Sequence, residues 1–413
     1  MKLLITPEKL CGEIAAPPSK SAAHRLIIAS FLSGERTRVS GAGASEDVLA
    51  TLGALSALGL EWENVCGDYI LSRKPIKSGA TAYCKESGST LRFLLPIAAA
   101  LGASVTFTGE EGLLKRPING LIEPLNRNGA QIEGLTVKGK LKSGDYACDA
   151  SISSQYITGL LFALPLLDGD SRIIFKNGAV SKGYIDITIA VLNLFGVRAE
   201  KTKYGYFING GQKYVSPKTV NVEGDYSGAA FFLAAGAIGG CVKVGGLDRK
   251  SLQGDRAILS VLKDFGAEVD VEENSATVRR NLLKGIEVDI DPIPDLAQII
   301  AVVAAFAKGK TVLKNVDRLK IKESDRVMAI IDMLKVAGID CHVEGNDLVI
   351  IGGKPHGGVF EGGNDHRTVM SSAILACFSD GTSTVSGAEA VNKSYPDFIK
   401  DLIKLGGRAD VGI

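Results

Sequence analysis

The chain has 413 residues, of which 46% are hydrophobic and 23% are charged, and these values are ordinary for a globular protein of two or three domains. The formal net charge of +1 excludes a global field that would attract nucleic acid or an acidic membrane, so an anion site has to be a local cluster. The seven cysteines form no C-x-x-C pair, the four histidines lack metal-ligand spacing, and no apolar run is long enough for a signal peptide or a membrane span. We therefore expect a reduced, cytoplasmic protein without a metal site, with neither nucleic acid nor a membrane as a partner.

The first elements of the chain alternate between helices and short strands. Ser19 is a good N-cap for the first helix, and Gly59 ends the second, whose apolar side chains share one face. The predicted elements are a helix over 22–32, a strand over 37–40, a helix over 46–58, and strands over 60–62 and 69–71. This alternation predicts α/β layers.

Two sequence markers recur six times with a period of about 70 residues. The first is a polar signature that opens an alanine-rich apolar stretch, and it begins at Ser19, Ser87, Ser153, Asp225, Asp295 and Asp365. The second is a glycine that follows a helix-like segment, and it recurs as Gly59, Gly129, Gly196, Gly266, Gly338 and Gly406. Because both markers keep one period, we predict six copies of one supersecondary unit, with each signature at a helix N-terminus, where anions bind readily.

The six repeats divide into two sets of three at the stretch 216–224. Asp365 is followed by less than one full repeat, and the 18 residues before the first signature would make up the difference. We infer that the N-terminal strand joins the second domain and completes it, so that the chain crosses between domains near Pro18 and near Val222. The counting alone leaves open the alternative that residues 1–18 begin the first repeat.

Cations are concentrated at or near the signatures. They are Lys20, Arg25, Arg116, Lys322, Arg326, Arg367 and Lys393. Hydroxyl groups at Ser21, Ser153, Ser154 and Ser181, and the small Gly88, suit a phosphate or an alcohol at the same places. Each segment taken singly is explained as well by capping or by a solvated surface. Their coincidence in a chain of net charge +1 predicts a site for a small molecule with two negative charges, or for two anions.

The segment 320–326 is the densest charged stretch of the chain. On a helix, Lys322, Glu323 and Arg326 would share one face, so two cations would flank a possible general acid or base. A surface ladder of ion pairs is the alternative. Asp295 is most simply explained as an N-cap, since Asp225 and Asp365 occupy the matching repeat position.

Nine segments in chain order resemble the 5-enolpyruvylshikimate-3-phosphate (EPSP) synthase family of enolpyruvyl transferases. They are 18–25, 88–92, 115–117, 153–155, 181–186, 294–295, 321–326, 364–367 and 393–397. The resemblance covers nearly the whole chain, and the Lys-Glu-Ser-Asp-Arg and Asp-His-Arg segments are its most specific parts. It implies a two-domain inside-out α/β barrel of six βαββαβ repeats, three per domain. The N-terminal domain would be 19–221, the C-terminal domain 1–18 plus 222–413, and the active site the cleft between them.

The resemblance also implies an activity and a set of residues. The enolpyruvyl group of phosphoenolpyruvate would be transferred to the 5-hydroxyl of shikimate 3-phosphate with release of phosphate, on the route to chorismate and the aromatic amino acids. Shikimate 3-phosphate would be bound by Lys20, Ser21, Arg25, Ser153, Ser154, Gln155, Ser181, Tyr184, Asp295, Arg318 and Lys322. Phosphoenolpyruvate would be bound by Lys20, Gly88, Arg116, Gln155, Arg326, Arg367 and Lys393. Asp295 would accept the proton of the 5-hydroxyl, while Glu323 with Lys20 would handle the proton at C3. No metal or organic cofactor is implied, and we expect a monomer.

Some positions depart from the common pattern of the family. Many members have asparagine where this chain has Glu86, many have proline where it has Phe93, and some have asparagine where it has Arg318. Gly88 is retained, so no side chain crowds the expected phosphoenolpyruvate pocket there, and we expect the inhibitor glyphosate to bind.

Three alternatives compete with this interpretation. A sister transferase that acts on UDP-N-acetylglucosamine has Lys-Asn in place of Lys20-Ser21 and usually carries a cysteine in the loop that matches 109–116, where this chain has none. A non-catalytic anion- or RNA-binding repeat protein would need basic stripes with interleaved aromatic residues, and aromatic content is only 6%. A structural solenoid would leave Asp295, Glu323 and the cations unexplained.

Overall fold

The computed structural model describes residues 1–76, 79–177 and 182–412. The chain forms two compact units, Lys20–Val222, here called the N-terminal unit, and Met1–Ser19 with Glu223–Ile413, here called the C-terminal unit. Within the described residues, no helix is both long and apolar enough to cross a membrane.

The helices of the described residues are mostly short. The α-helices are α1 (Lys20–Ser33), α2 (Glu46–Ala57), α3 (Gly88–Ala100), α4 (Glu111–Leu114), α5 (Asn119–Arg127), α6 (Ser154–Ala163), α7 (Lys182–Leu194), α8 (Tyr226–Gly239), α9 (Ile258–Phe265), α10 (Ala297–Phe306), α11 (Arg326–Val336), α12 (His366–Phe378) and α13 (Phe398–Lys404). Short 3₁₀ helices cover Leu164–Leu166, Gly254–Ala257, Pro294–Leu296, Asp317–Ile321 and Ala388–Lys393.

The strands are short as well. They are β1 (Lys2–Thr6), β2 (Cys11–Ala15), β3 (Thr37–Ser40), β4 (Leu60–Val65), β5 (Asp68–Arg73), β6 (Ala80–Tyr83), β7 (Val105–Thr108), β8 (Ala130–Glu133), β9 (Thr136–Gly139), β10 (Asp145–Cys148), β11 (Ser171–Phe175), β12 (Glu200–Thr202), β13 (Gly205–Ile208), β14 (Thr219–Asn221), β15 (Cys241–Gly245), β16 (Glu268–Val271), β17 (Ser275–Arg279), β18 (Glu287–Asp289), β19 (Lys310–Lys314), β20 (Asp340–Glu344), β21 (Asp347–Ile351), β22 (Val359–Phe360), β23 (Ser383–Ser386) and β24 (Arg408–Gly412).

The described strands form six four-stranded sheets that share one pattern. In each sheet the first two strands pair in parallel, and the other two pairings are antiparallel. The N-terminal unit has the orders β14-β3-β5-β4, β6-β7-β9-β8 and β10-β11-β13-β12. The C-terminal unit has β2-β15-β17-β16, β18-β19-β21-β20 and β22-β23-β1-β24. The predicted α/β fold of six repeats is confirmed, because helices alternate with these strands in every repeat.

Three strands complete repeats that lie far from them in sequence. β1 lies between β23 and β24, and β2 pairs in parallel with β15, so both belong to sheets of the C-terminal unit. β14, at the end of the N-terminal unit, pairs in parallel with β3. On β1, Leu3 and Ile5 alternate with exposed residues and are fully buried, and this alternation fixes the register of the strand.

The glycine marker marks the same backbone conformation in all six repeats. The φ angles are +103° at Gly59, +95° at Gly129, +77° at Gly196, +107° at Gly266, +74° at Gly338 and +99° at Gly406. Other residues adopt this left-handed region only at an energetic cost, so the position favours glycine at the end of a helix. The period of about 70 residues in the sequence is therefore the spacing between glycines that each end one helix per repeat in the left-handed conformation.

Buried helices hold the polar signatures in place. In the C-terminal unit, α8, α10 and α12 pack on one another, and every residue of α8 except Ser227 is buried. In the N-terminal unit, α3 packs against α6, and both are apolar on nearly all sides. A signature residue stands at or just before the start of each of these helices, so the packing of the core fixes where its polar side chains lie.

Candidate active site

Among the contacts described for the signatures, four side chains cap the helix that follows them. The capping side chains accept hydrogen bonds from a backbone N–H two or three residues further on: Ser87 from Thr90 at 3.3 Å, Ser153 from Gln155 at 3.2 Å, Asp225 from Ser227 at 2.9 Å and Asp365 from Arg367 at 2.9 Å. These bonds satisfy backbone donors that a helix leaves unpaired at its start. The signature is therefore first a structural feature, and its chemistry depends on what lies beside each cap.

Lys20 begins α1 and is held by a carboxylate. Its Nζ donates to Oδ2 of Asp47 over 2.8 Å, and both side chains are 16% exposed. Asp47 lies in the first turn of α2, where a carboxylate also interacts favourably with the helix dipole. The ion pair fixes one of the predicted site cations at the surface of the N-terminal unit.

Arg25 is a buried cation whose described acceptors are neutral. It donates to the hydroxyl oxygen of Thr188 at 2.9 Å and to the carbonyl oxygens of Ser21 at 2.6 Å and Tyr184 at 3.0 Å, and it lies 5.2 Å from the centre of the Phe93 ring. Burial lowers the pKa of Arg25 to about 10, so the side chain still carries its charge near neutral pH. A guanidinium surrounded by neutral oxygens keeps its positive field available to an anion.

Two further guanidinium groups lie beside the start of α3. A Cβ atom built on Gly88 would lie 3.2 Å from an Nη1 atom of Arg92 and equally close to one of Arg116. Gln155 bridges the neighbouring groups, because its Oε1 accepts from Arg92 at 2.6 Å and its Nε2 donates to Ser89 at 2.9 Å. The predicted residues Gly88, Arg116 and Gln155 are thus brought together.

The hydroxyl groups of the N-terminal unit have different surroundings. Ser153 caps α6, and the next residue, Ser154, is 6% exposed. The side chain of Tyr184 is half-buried, and its carbonyl oxygen accepts from Arg25. The predicted residue Ser181 lies outside the described residues.

The prediction that Asp295 is an N-cap is wrong. Asp295 lies in the 3₁₀ helix Pro294–Leu296, the cap position of α10 is Leu296, and no side chain caps that helix. The carboxylate of Asp295 instead accepts from Arg326 at 2.8 Å and from Arg367 at 3.0 Å, and Arg367 also donates to the carbonyl oxygen of Asp295 at 3.0 Å. The side chain of Asp295 is 20% exposed, so it is an ordered carboxylate that solvent can reach.

Arg326 joins three carboxylates. Its Nη1 binds Asp295 at 2.8 Å, its Nη2 binds Glu323 at 2.6 Å, and its Nε binds Asp365 at 2.9 Å. Burial opposes the charge, but these carboxylates raise the pKa of Arg326 well above its ordinary value. Burial alone would likewise raise the pKa of Asp365, and the charge of Arg326 holds that pKa below its usual range. Each member of the Arg326–Asp365 pair therefore favours the charged form of the other.

The segment 320–326 is not one helix, which corrects the sequence-based prediction. A 3₁₀ helix ends at Ile321, and α11 begins at Arg326 behind the cap Asp325, which accepts from two backbone N–H groups at 3.1 Å. Glu323 and Arg326 meet because the loop turns back onto the start of the helix. Arg326, at the centre of the cluster, is 1% exposed, so the segment is not an exposed ladder of ion pairs.

Three other predicted cations lie in the C-terminal unit. Nζ of Lys322 is 3.9 Å from Oδ1 of Asp295, and burial lowers the pKa of Lys322 although that carboxylate opposes the shift. Arg318 donates to the Asp291 carboxylate at 2.9 Å. Lys393 donates from Nζ to the carbonyl oxygen of Asn364 at 2.6 Å.

Three residues of these clusters were given no site role by the sequence analysis. Arg92 lies one turn after Gly88, a spacing that could have identified it. Asp365 was explained only as a cap, and its second contact, to Arg326, comes from another repeat. Asp255 is 2% exposed and bonds Ser227, and burial followed by the charge of Asp295 raises its pKa to about 7. Within the described residues, no three His, Cys, Asp or Glu side chains are placed to hold a metal ion.

Comparison with known proteins gives consistent results. The sequence model of the EPSP synthase (3-phosphoshikimate 1-carboxyvinyltransferase) family matches residues 5–402. A 3-phosphoshikimate 1-carboxyvinyltransferase of Clostridium kluyveri is 41% identical over 98% of this chain and 97% of its own length. One from Clostridium novyi is 40% identical over 98% of each chain. The solved structure of EPSP synthase from Acinetobacter baumannii aligns with a TM-score of 0.83 at 26% identity, covering 99% of this chain and 100% of that one.

Proposed function

Because this chain belongs to the EPSP synthase (3-phosphoshikimate 1-carboxyvinyltransferase) family and catalyses the reaction of that family, we propose that Asp295, Glu323 and Lys20 are its catalytic groups. The enzyme transfers the enolpyruvyl group of phosphoenolpyruvate to shikimate 3-phosphate and releases phosphate. Both substrates carry a phosphate and a carboxylate, which accounts for the many cations at the helix starts.

The proton of the 5-hydroxyl would pass to Asp295 as the hydroxyl oxygen attacks C2 of phosphoenolpyruvate. A general base must be ionised and ordered, and the guanidinium groups of Arg326 and Arg367 favour both properties. This position of the Asp295 carboxylate is the observation that carries the proposal. The arginines also limit the basicity of Asp295. The 5-hydroxyl proton is therefore transferred to Asp295 only as the hydroxyl oxygen forms its bond to C2, which makes the hydroxyl group more acidic.

The second proton transfer takes place at C3 of phosphoenolpyruvate. Addition needs a donor at C3, and elimination of phosphate needs an acceptor for a proton from the same carbon. Lys20, as an ammonium group, can donate a proton, whereas the Glu323 side chain, 2.6 Å from Arg326, can accept one as a carboxylate. We assign the C3 proton to these two groups.

The remaining site residues bind and orient the substrates. For shikimate 3-phosphate we propose Lys20, Ser21, Arg25, Ser153, Ser154, Gln155, Ser181, Tyr184, Asp295, Arg318 and Lys322. For phosphoenolpyruvate we propose Lys20, Gly88, Arg116, Gln155, Arg326, Arg367 and Lys393. Fixed cations stabilise the charge that develops on the departing phosphate without having to reorganise.

Arg326 has a special place in this assignment. Each of its nitrogen atoms already binds a carboxylate, and the side chain is 1% exposed. A guanidinium group has five N–H groups, and these contacts use three of them, so a direct contact with phosphoenolpyruvate would use the second N–H of Nη1 or Nη2. The carboxylate contacts also hold Asp295 and Glu323 in place.

The test measures phosphate release from phosphoenolpyruvate with shikimate 3-phosphate, beside a reaction with UDP-N-acetylglucosamine. We expect release with shikimate 3-phosphate alone, and a loss of kcat of about 10²–10⁴-fold in Asp295→Ala and Glu323→Gln. Asp270→Asn is the matched control, since Asp270 is an exposed carboxylate paired with Arg279. Full activity in Asp295→Ala would contradict the assignment of the base, and release with UDP-N-acetylglucosamine would favour the sister reaction.

We also propose that the enzyme is a cytoplasmic monomer. Light scattering coupled to size exclusion tests the oligomeric state, and a mass near 43.4 kDa is expected. A mass near twice that value would contradict the proposal. Location is tested by fractionation of cells that express the natural gene.

A further inference from the structure

A buried chain of hydrogen bonds joins three helices of the N-terminal unit. Nδ1 of His24 on α1 lies 2.6 Å from the hydroxyl oxygen of Thr51 on α2, which lies 2.6 Å from that of Thr90 on α3. Thr90 donates to the hydroxyl oxygen of Ser87 over 2.8 Å. All four side chains are at most 1% exposed, so water does not compete for these bonds.

The direction of every bond in this chain follows from the last one. A hydroxyl group has one hydrogen, and Thr90 uses its hydrogen on Ser87. Thr90 must then accept from Thr51, and Thr51 must accept from His24. The His24 ring therefore carries its proton on Nδ1, and all donors point from α1 towards α3.

The histidine itself is suited to this role because it stays neutral. Burial lowers the pKa of His24 to about 3, with the nearby charge of Asp47 opposing the shift. Its Nε2 is buried and has no hydrogen-bond partner among the described residues, so the bond to Thr51 is its described polar contact. The His24 ring also meets the Phe93 ring of α3 edge-on, with centroids 6.4 Å apart.

Ser87, the last member of this chain of hydrogen bonds, lies where phosphoenolpyruvate is proposed to bind. Ser87 is the N-cap of α3 and accepts from both the backbone N–H and the hydroxyl of Thr90. Gly88 follows directly, and the guanidinium groups of Arg92 and Arg116 lie beside it. A displacement of the Ser87 cap would move the Gly88 backbone relative to both cations.

We propose that His24, Thr51 and Thr90 are positioning residues that set the start of α3, and thereby the binding of phosphoenolpyruvate at Gly88, through this one-way chain. The proposal rests on the proposed function, in which Gly88 and Arg116 bind phosphoenolpyruvate. A substrate phosphate has to meet several donors at once. A small shift of the helix start therefore affects phosphate binding more than it affects the stability of the fold.

The experiment compares Thr90→Val, which removes the hydroxyl without changing the shape, with Thr90→Ser, which keeps it. We expect Thr90→Val to raise the KM for phosphoenolpyruvate about 10-fold, with the KM for shikimate 3-phosphate within 2-fold and with Thr90→Ser close to the unaltered enzyme. Thr37→Val is the matched control, because Thr37 is a fully buried threonine of the same unit whose hydroxyl bonds Ser216 at 2.6 Å. A KM for phosphoenolpyruvate that rises equally in Thr37→Val would overturn the positioning role, since any lost buried hydroxyl would then have the same effect.

An Arg116→Ala variant separates this proposal from the one on which it rests. If Arg116→Ala raises the KM for phosphoenolpyruvate and Thr90→Val does not, the positioning role is overturned and the proposed binding site stands. If neither variant changes that KM, the site assignment fails and the positioning role fails with it.

A spectroscopic measurement on the unaltered enzyme holds whether or not the variants fold. Long-range ¹H–¹⁵N correlation should show the His24 proton on Nδ1, with ring shifts that stay constant from pH 8 to pH 5. A proton on Nε2, or a titration near pH 6.5, would overturn the direction of the chain. His24→Asn, which can donate from Nδ2 in place of Nδ1, should keep the KM for phosphoenolpyruvate within 3-fold, whereas His24→Leu should raise it.

Discussion

Nη1 of Arg326 donates to Oδ1 of Asp295 over 2.8 Å, although Arg326 is 1% exposed. A cation at this depth is stable only if its partners compensate for the loss of water. Arg326 has three such partners, and two of them, Asp295 and Glu323, are proposed to move protons in the reaction. The ion cluster that stabilises the C-terminal unit is therefore also the support of the proposed catalytic groups.

Replacing Arg326 should cost stability as well as activity. Arg326→Met leaves carboxylates without their shared cation, and we expect the free energy of unfolding to fall by about 3–5 kcal/mol. Urea denaturation followed by circular dichroism measures the change. Arg279→Met is the control, since Arg279 pairs with Asp270 at the surface and should cost no more than about 1 kcal/mol. Equal losses in the two variants would show that the buried cluster contributes nothing special.

The substitution Gly88→Ala should leave the fold intact but weaken the binding of phosphoenolpyruvate. The added Cβ of Gly88→Ala would lie 3.2 Å from the Nη1 atoms of Arg92 and Arg116, which are the flexible ends of long side chains and can move by a few tenths of an ångström. We expect unchanged thermal stability, a KM for phosphoenolpyruvate raised about 10-fold and weaker inhibition by glyphosate.

The control for Gly88→Ala is another helical glycine with space around it. A Cβ atom on Gly53 of α2 would meet no atom within 4 Å, so Gly53→Ala should leave both KM values and inhibition unchanged. If glyphosate failed to inhibit even the unaltered enzyme, the prediction made from the retained Gly88 would be wrong.

The sequence predicted the periodic part of this fold well. The repeat glycines have positive φ angles because a tight helix end requires them, and such a local requirement leaves the same letter in every copy. The predicted helix over 46–58 is observed as Glu46–Ala57 for the same reason, since its apolar face and terminal glycine are local signals.

The sequence did not predict how the charged side chains pair. Asp295, Arg326 and Arg367 belong to three different repeats, and only their packing decides that they meet. Asp295 also stands at a signature position where its counterparts Asp225 and Asp365 are caps, so the pattern alone favoured the wrong explanation. In segment 320–326 the spacing predicts one helix, but the cap at Asp325 places the start of α11 at Arg326.

The neutral, buried His24 should make the protein sensitive to acid. The pKa of His24 is about 3 in the folded protein and near 6.5 when the chain is unfolded, so below pH 6.5 the unfolded chain binds a proton that the folded protein excludes. Stability is then lost as the pH falls from about 6.5 towards 3, by up to about 5 kcal/mol. The urea midpoint of His24→Asn should decline less between pH 7 and pH 4 than that of the unaltered protein. His342→Asn, at an exposed histidine, should follow the unaltered protein, and identical slopes for all three would exclude His24 as the cause.

Asp255 should act in the opposite direction in the C-terminal unit. Burial, followed by the charge of Asp295, raises the pKa of Asp255 to about 7, whereas an unfolded aspartate titrates near 4. Between these two pH values the folded protein holds a proton on Asp255 that the unfolded chain releases. The stability that protonated Asp255 contributes is therefore fully present below pH 4 and is lost as the pH rises through 7. Asp255→Asn keeps a neutral polar group beside Ser227 and should raise the urea midpoint at pH 8, by the equivalent of about 2–4 kcal/mol, while changing little at pH 4. Asp340→Asn, at an exposed aspartate, is the control.

A double variant of His24→Asn and Asp255→Asn should have a flatter profile of stability against pH than either single variant. His24 destabilises the fold on the acid side, and Asp255 destabilises it on the alkaline side. We expect the two effects to add, because the two residues belong to separate units. If the urea midpoint of the double variant still fell at both acid and alkaline pH, other buried groups would limit the stability.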